Sequence, residues 1–188
     1  MPILPSVCVY CGARDGADPA YAAAAEQTGG MLAANGWQLV YGAGDVGLMG
    51  RVARAAQTAG GRTFGVIPKH LMDWEVGRTD LDTFIVTETM HERKKVMFMN
   101  AHAVVVLPGG AGSLDEMFEA LTWRQLGLHD KPVFVLNIAG YWDPLFALLD
   151  HVVAEGFADE TLLGYAKRVG SVAELETHLK TTLAAPLA

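Results

Sequence analysis

The chain is poor in cysteine, in paired histidines and in long apolar runs, and each shortage closes off a class of protein. Cys8 and Cys11 are the only two cysteines among 188 residues, too few for a disulfide framework. Cys8-x-x-Cys11 is half of a zinc donor set, and no second cysteine pair completes it. The six histidines form no H-x-x-x-H pattern, so no metal is expected. No apolar stretch reaches the roughly 18 residues that span a bilayer. Met1–Tyr10 lacks the basic start and long apolar core of a secretory signal. Basic segments are scarce too: Arg93-Lys94-Lys95 is one short cluster in a chain of formal net charge −7. That balance speaks against nucleic acid or a membrane as partner. The expectation is a cytoplasmic protein acting on a small molecule.

What is present is a regular alternation of strands and helices within one domain, residues 1–188. Ser6–Tyr10 is a short apolar run rich in β-branched residues, hence a buried strand. Asp18-Pro19 starts a helix that stops at Asn35-Gly36. Trp37–Tyr41, Arg62–Ile67, Thr83–Thr87, Ala103–Leu107 and Pro132–Asn137 read as further strands. Helices are expected after the glycine loop at 42–47, over Thr89–Asn100, over Ser113–Leu126, from Asp143-Pro144 and from Ser171. Residues 69–82 carry no clean period and read as a loop. Such alternation predicts an α/β, Rossmann-like parallel sheet with helices on both faces. Ligands of such sheets bind at the carboxyl ends of the strands.

Two glycine loops fall at such ends. Gly42-Ala43-Gly44-Asp45-Val46-Gly47 matches G-x-G-x-x-G. It follows the second strand, whereas the dinucleotide fingerprint follows the first, and no acid closes the next strand to hold a ribose. Gly42 and Gly44 are therefore read as a general phosphate- or ribose-facing turn, and no NAD is expected. Pro108-Gly109-Gly110-Ala111-Gly112-Ser113 is sharper. Successive N–H groups entering a helix bind a phosphate, and Ser113 adds a hydroxyl. No lysine precedes Ser113, so this is not a Walker loop.

Glu116 admits two readings. Ser113-Leu114-Asp115-Glu116 has the form of a capping box, as does Ser171-Val172-Ala173-Glu174, which has no glycine loop before it. A carboxylate one turn from a bound phosphate also lies where a nucleotide's ribose would be, and there it could act in catalysis. Arg93 and Lys94, after Met90-His91-Glu92, read either as a solvated helix face or as cations for a phosphate.

The segments MHERKKVM and PGGAGSLDE resemble the Lonely guy (LOG) family of cytokinin riboside 5′-monophosphate phosphoribohydrolases, with its PGGxGTxxE signature and upstream Arg-Lys pair. CVYCGARDG, VYGAGDVGLMG, LTWRQLGLHDKPVFVLNIAGYWDPL and HVVAEGF extend the resemblance over nearly the whole chain. Many such relatives carry a lysine decarboxylase label, but no pyridoxal-phosphate site is recognisable in this sequence. The resemblance implies that Arg93 and Glu116 are catalytic. It also implies nucleotide contacts from Glu75, Met90, Lys94, Gly109, Gly110, Ala111, Gly112, Ser113, Leu114, Asp115 and Thr122. It implies a homodimer with the site near the interface, and no cofactor. The substrate implied is a nucleotide 5′-monophosphate, cleaved through an oxocarbenium-like transition state that Glu116 would stabilise.

Four positions depart from the pattern: Ser113 for Thr, Ala43 for Gly, and His102 and Ala139 where Asp is common. Ala43 should be tolerated if its φ is negative. The sequence leaves open a selective cytokinin riboside monophosphate hydrolase, a broader nucleoside monophosphate hydrolase and a non-catalytic binding module. Joint possession of Arg93 and Glu116 speaks against the last.

Overall fold

A computed structural model describes residues 4–72 and 80–184. The strands are β1 (Ser6–Tyr10), β2 (Gln38–Tyr41), β3 (Thr63–Pro68), β4 (Thr83–Thr87), β5 (Ala103–Val106), β6 (Val133–Leu136) and β7 (Ala166–Val169). The helices are α1 (Pro19–Ala34), α2 (Gly47–Thr58), α3 (Met90–Met99), α4 (Ala111–Gln125), α5 (Asp143–Ala154) and α6 (Val172–Leu183). All seven strands pair in parallel, in the order β4-β3-β2-β1-β5-β6-β7. The expected Rossmann-like sheet is therefore present, with one strand more than expected. β7 escapes an apolar-run reading because Lys167 and Arg168 stand exposed between buried Ala166 and Val169, as suits an edge strand.

The pleat sorts β1 between two cores. Val7 and Val9 face the layer of α1, α2 and α6, while Cys8 and Tyr10 face the layer of α3, α4 and α5. β5 is buried on both faces along its length, which is why it reads as an unbroken valine run. Cys8 and Cys11 thus sit in different cores and are unpaired. Met97 and, in part, Trp123 pack in the core, while Met99 is 67% exposed. Among the described residues no helix is long and apolar enough to cross a membrane.

Local signals explain most helix ends. Asp18 caps α1, accepting from Ala20 N at 2.8 Å, with Pro19 in the first turn. Thr89 and Glu92 form a reciprocal capping box on α3. Ser171 caps α6 by accepting from Glu174 N at 3.2 Å, and the Glu174 carboxylate accepts from Gly170 N at 2.7 Å.

Candidate functional site

Strand order reverses across β1, whose neighbours are β2 and β5. The β1/β5 seam is the topological switch point where such sheets open a crevice. A cleft of about 430 Å³ lies there, walled by the turns that follow β1, β2 and β5 and by the first half of α3. Of the expected residues, Gly42, Met90, Arg93, Gly109, Gly110, Gly112, Ser113, Asp115 and Glu116 line it. Gly44, Lys94, Ala111, Leu114 and Thr122 do not. Glu75 lies outside the described residues.

The loop after β5 enters α4 three residues earlier than the Ser-x-x-Glu pattern suggested. Gly110 is the N-cap, with no side-chain cap bond, and Ala111 is the first helical residue. Ser113 is therefore inside the helix, and the expected Ser113–Leu126 start and capping box are not formed. The pattern failed because Gly110 takes the extended N-cap conformation and starts the helix before Ser113 is reached. Glu116 is thus not a cap, in contrast to Glu92 and Glu174. The first N–H groups of α4 face outward from a helix end with its positive dipole. A Cβ built on Gly110 or Gly112 would meet nothing within 4 Å, whereas one on Gly109 would lie 2.1 Å from Ser113 Oγ. Gly109 is needed for close packing; Gly110 and Gly112 keep the cradle open.

Arg93 and Lys94 are buried, at 3% and 4% exposure, so neither belongs to a solvated face. Arg93 Nε donates to Val66 O at 3.1 Å and Nη2 to Gly42 O at 2.7 Å. A Cβ on Gly42 would fall 2.0 Å from Arg93 Nη2. The first glycine of the G-x-G-x-x-G turn thus makes room for an arginine. Ala43 beside it has φ +58°, so its toleration does not come from a negative φ. A Cβ on Gly65 would lie 2.8 Å from the Ala43 methyl, and the bare glycine there gives that methyl its space. Lys94 points to α4 and donates to Asp115 at 3.0 Å and Glu119 at 2.7 Å. Burial opposes its charge, but bonds to Glu119 and Asp115 prevail and raise its pKa above the usual lysine value.

Glu116, half-buried, projects into the cleft from α4. Tyr10 on the cleft floor is pushed above the ordinary phenol range, first by burial and then by Cys8 and the Glu116 charge. Burial and Glu116 likewise raise Cys11. Both groups therefore stay neutral beside Glu116. Apolar Leu48, Met49, Leu71 and Met97 also line the cleft and offer apolar surface to a planar base.

The turn after β1 is the part that residue-by-residue reading missed. Cys11, Gly12, Ala13, Arg14, Asp15 and Gly16 all line the cleft. Gly12 N donates to Pro108 O at 3.0 Å, so this turn abuts the phosphate loop. Arg51 clamps Asp15 with bonds of 2.8 and 2.9 Å and thereby lowers its carboxyl pKa. Tyr141, on the short turn after β6, donates from its hydroxyl to Gly109 O at 2.6 Å. The available signal was topological: with β1 central, its turn belongs to the switch point. Among the described residues no group of three or more His, Cys, Asp or Glu could hold a metal ion.

Fold and cleft define a Rossmann-like α/β protein with a phosphate-sized cradle, a buried arginine and a carboxylate around one crevice. A family model described as "Possible lysine decarboxylase" matches residues 49–179. The chain is 45% identical over 154 residues to the cytokinin riboside 5′-monophosphate phosphoribohydrolase LOG of Oryza sativa subsp. japonica, covering 82% of this chain and 64% of that protein. It is 44% identical over 151 residues to the enzyme of the same description, LOG7, of Arabidopsis thaliana, covering 80% and 70%. The chain belongs to the LOG family of phosphoribohydrolases. In structure it resembles the Moco carrier protein of Chlamydomonas rheinhardtii, with TM-score 0.73 and 23% identity over 96% of this chain and 98% of that one. That likeness speaks for the fold alone.

Proposed function

We propose that the protein hydrolyses the N-glycosidic bond of N6-substituted adenosine 5′-monophosphates, and of AMP, releasing the free base and ribose 5-phosphate. The observation that carries this reading is Glu116. Its sequence pattern is that of a capping box, yet α4 starts at Gly110 with no side-chain cap, and the Glu116 carboxylate shares a cleft with that helix N-terminus. A phosphate held at Gly110–Ser113 would position the sugar through remote binding energy. As the C1′–N bond breaks, positive charge grows on C1′ and O4′, and the Glu116 carboxylate stabilises it. Water adds to C1′ and gives up one proton, and the departing base nitrogen gains one. Arg93, anchored to two carbonyls, fixes the ribose or polarises the leaving base. Lys94 supports the site from behind, by tying α3 to α4. The homodimer and the cytoplasmic location belong to the same reading, the former from family resemblance and the latter from two unpaired, buried thiols.

The test is a chromatographic assay for free base with isopentenyladenosine, adenosine, guanosine and cytidine monophosphates, beside the unphosphorylated ribosides. Glu116→Gln should keep its fold and its AMP binding while turnover falls about 100-fold or more. Glu174→Gln, in a working capping box, should leave turnover unchanged, because Gln also serves that position. A Glu116→Gln protein with most of its kcat, or equal kcat/KM for riboside and monophosphate, would overturn the proposal.

A further inference from the structure

The charges around the cleft are nearly all committed elsewhere. Asp15 is held by Arg51, Asp115 by Lys94, and Arg93 spends two donors on the carbonyls of Val66 and Gly42. Lys94, the other cation the family pattern offers, is turned away toward α4. Arg14 is the exception. It lines the cleft, is exposed, and its guanidinium meets no carboxylate or carbonyl among the described residues.

The backbone that carries Arg14 is fixed. A Cβ on Gly47 would fall 2.3 Å from Ala13 C and 2.3 Å from Arg14 N, so the turns after β1 and β2 touch main chain to main chain. Two residues earlier, Gly12 N is bonded to Pro108 O. A Cβ on Gly12 would sit 3.3 Å from Gly109 Cα. Arg14 therefore stands on the wall that abuts the phosphate loop, with a fixed backbone and an exposed side chain.

The ligand chemistry requires such a group. The cradle at Gly110–Ser113 offers neutral N–H groups and one hydroxyl, while a phosphate monoester brings about two negative charges at neutral pH. The protein carries a net charge of −7, whose field repels a dianion. We infer that Arg14 binds the 5′-phosphate of the substrate from the wall adjoining the cradle, supplying the charge-assisted contact that the helix end lacks. Planar guanidinium geometry suits two phosphate oxygens at once. This rests on the nucleotide reading given above and adds to it a recognition residue from the turn after β1.

The experiment separates the two claims by measuring binding as well as turnover. Ribose 5-phosphate and ribose are titrated calorimetrically into wild type, Arg14→Ala and Arg14→Lys. Arg14→Ala should weaken ribose 5-phosphate about tenfold, the worth of one charge-assisted bond, and leave ribose unaffected. Arg14→Lys should recover part of the loss, and the wild-type advantage should shrink with added salt. In turnover, kcat/KM for the monophosphate should fall by about the same factor. The inference is overturned if Arg14→Ala binds ribose 5-phosphate within about twofold of wild type, or if both ligands weaken alike. Should wild type cleave no monophosphate at all, the hydrolase proposal fails, and the calorimetric comparison still decides on Arg14.

Discussion

Gly42→Ala tests whether the cleft is built around the buried arginine. The added methyl would lie 2.0 Å from Arg93 Nη2, 2.9 Å from Cζ and 3.2 Å from Met49 Sδ. The guanidinium cannot stay, so the 2.7 Å bond to Gly42 O is lost. Arg93 is also tied by Nε to Val66 O, so retreat strains a second bond. Loss of one hydrogen bond to a charged group costs about 1.5–3 kcal/mol. For a chain of this size that is a fall in Tm of roughly 3–12 °C. Turnover should fall about 100-fold, since a displacement near 1 Å at a positioning group has that effect. Gly30→Ala is the control. Gly30 lies in α1 with nothing within 4 Å of its missing Cβ. Alanine there should raise stability by about 0.8–1 kcal/mol through helix propensity and leave turnover alone. Calorimetric melting and the free-base assay read both variants. A Gly42→Ala enzyme with wild-type Tm and wild-type kcat would refute the packing of Gly42 on Arg93 and Arg93's place in the mechanism.

Two other outcomes are expected. Ala139, exposed with φ +51° and ψ +28°, adopts a left-handed conformation that costs a β-carbon about 1–2 kcal/mol. Ala139→Gly should therefore raise Tm by a few degrees despite the entropy glycine adds to the unfolded chain; a lower Tm on calorimetric scans would contradict this. His102 accepts from Ser6 N at 3.0 Å through Nδ1, and His129 accepts from Lys131 N at 3.0 Å in the same way. Burial first of all lowers both pKa values below 6.5. The unfolded chain thus binds more protons than the folded one as the pH falls. Their stabilisation is fully present above about pH 6.5 and is lost as pH drops through the folded pKa values. Urea melts of His102→Asn should lose part of the slope of stability below pH 6.5; an unchanged slope would exclude His102 as a contributor.

The legible parts of the molecule were those decided by local patterns. The valines of β5, Asp18-Pro19 at α1 and Ser171 with Glu174 at α6 each carry their structure within a few residues, and each formed as read. The start of α4 did not, because Ser113-x-x-Glu116 satisfies a local rule that an earlier N-cap at Gly110 overrides. Arg93 and Lys94 look like a surface run because their partners, Gly42 and Val66 for one and Asp115 and Glu119 for the other, are remote in sequence. β7 was hidden by two exposed cations on a sheet edge. The turn after β1 could be read from the residues only as part of a family likeness. Its place in the cleft follows from strand order, and strand order has no signature in any single segment.

The seam of bare backbone between the loops separates the frame of the crevice from its recognition surface. Gly12 rests on Pro108 and Gly109, and Gly47 rests on Ala13 and Arg14, with no side chain between them. The frame of the crevice is therefore set largely by main-chain contact, to which Tyr141 adds its bond to Gly109 O. Arg14 stands on the rim, exposed, and bears none of that load. Exchanging Arg14 should therefore alter what the crevice accepts and leave its frame intact.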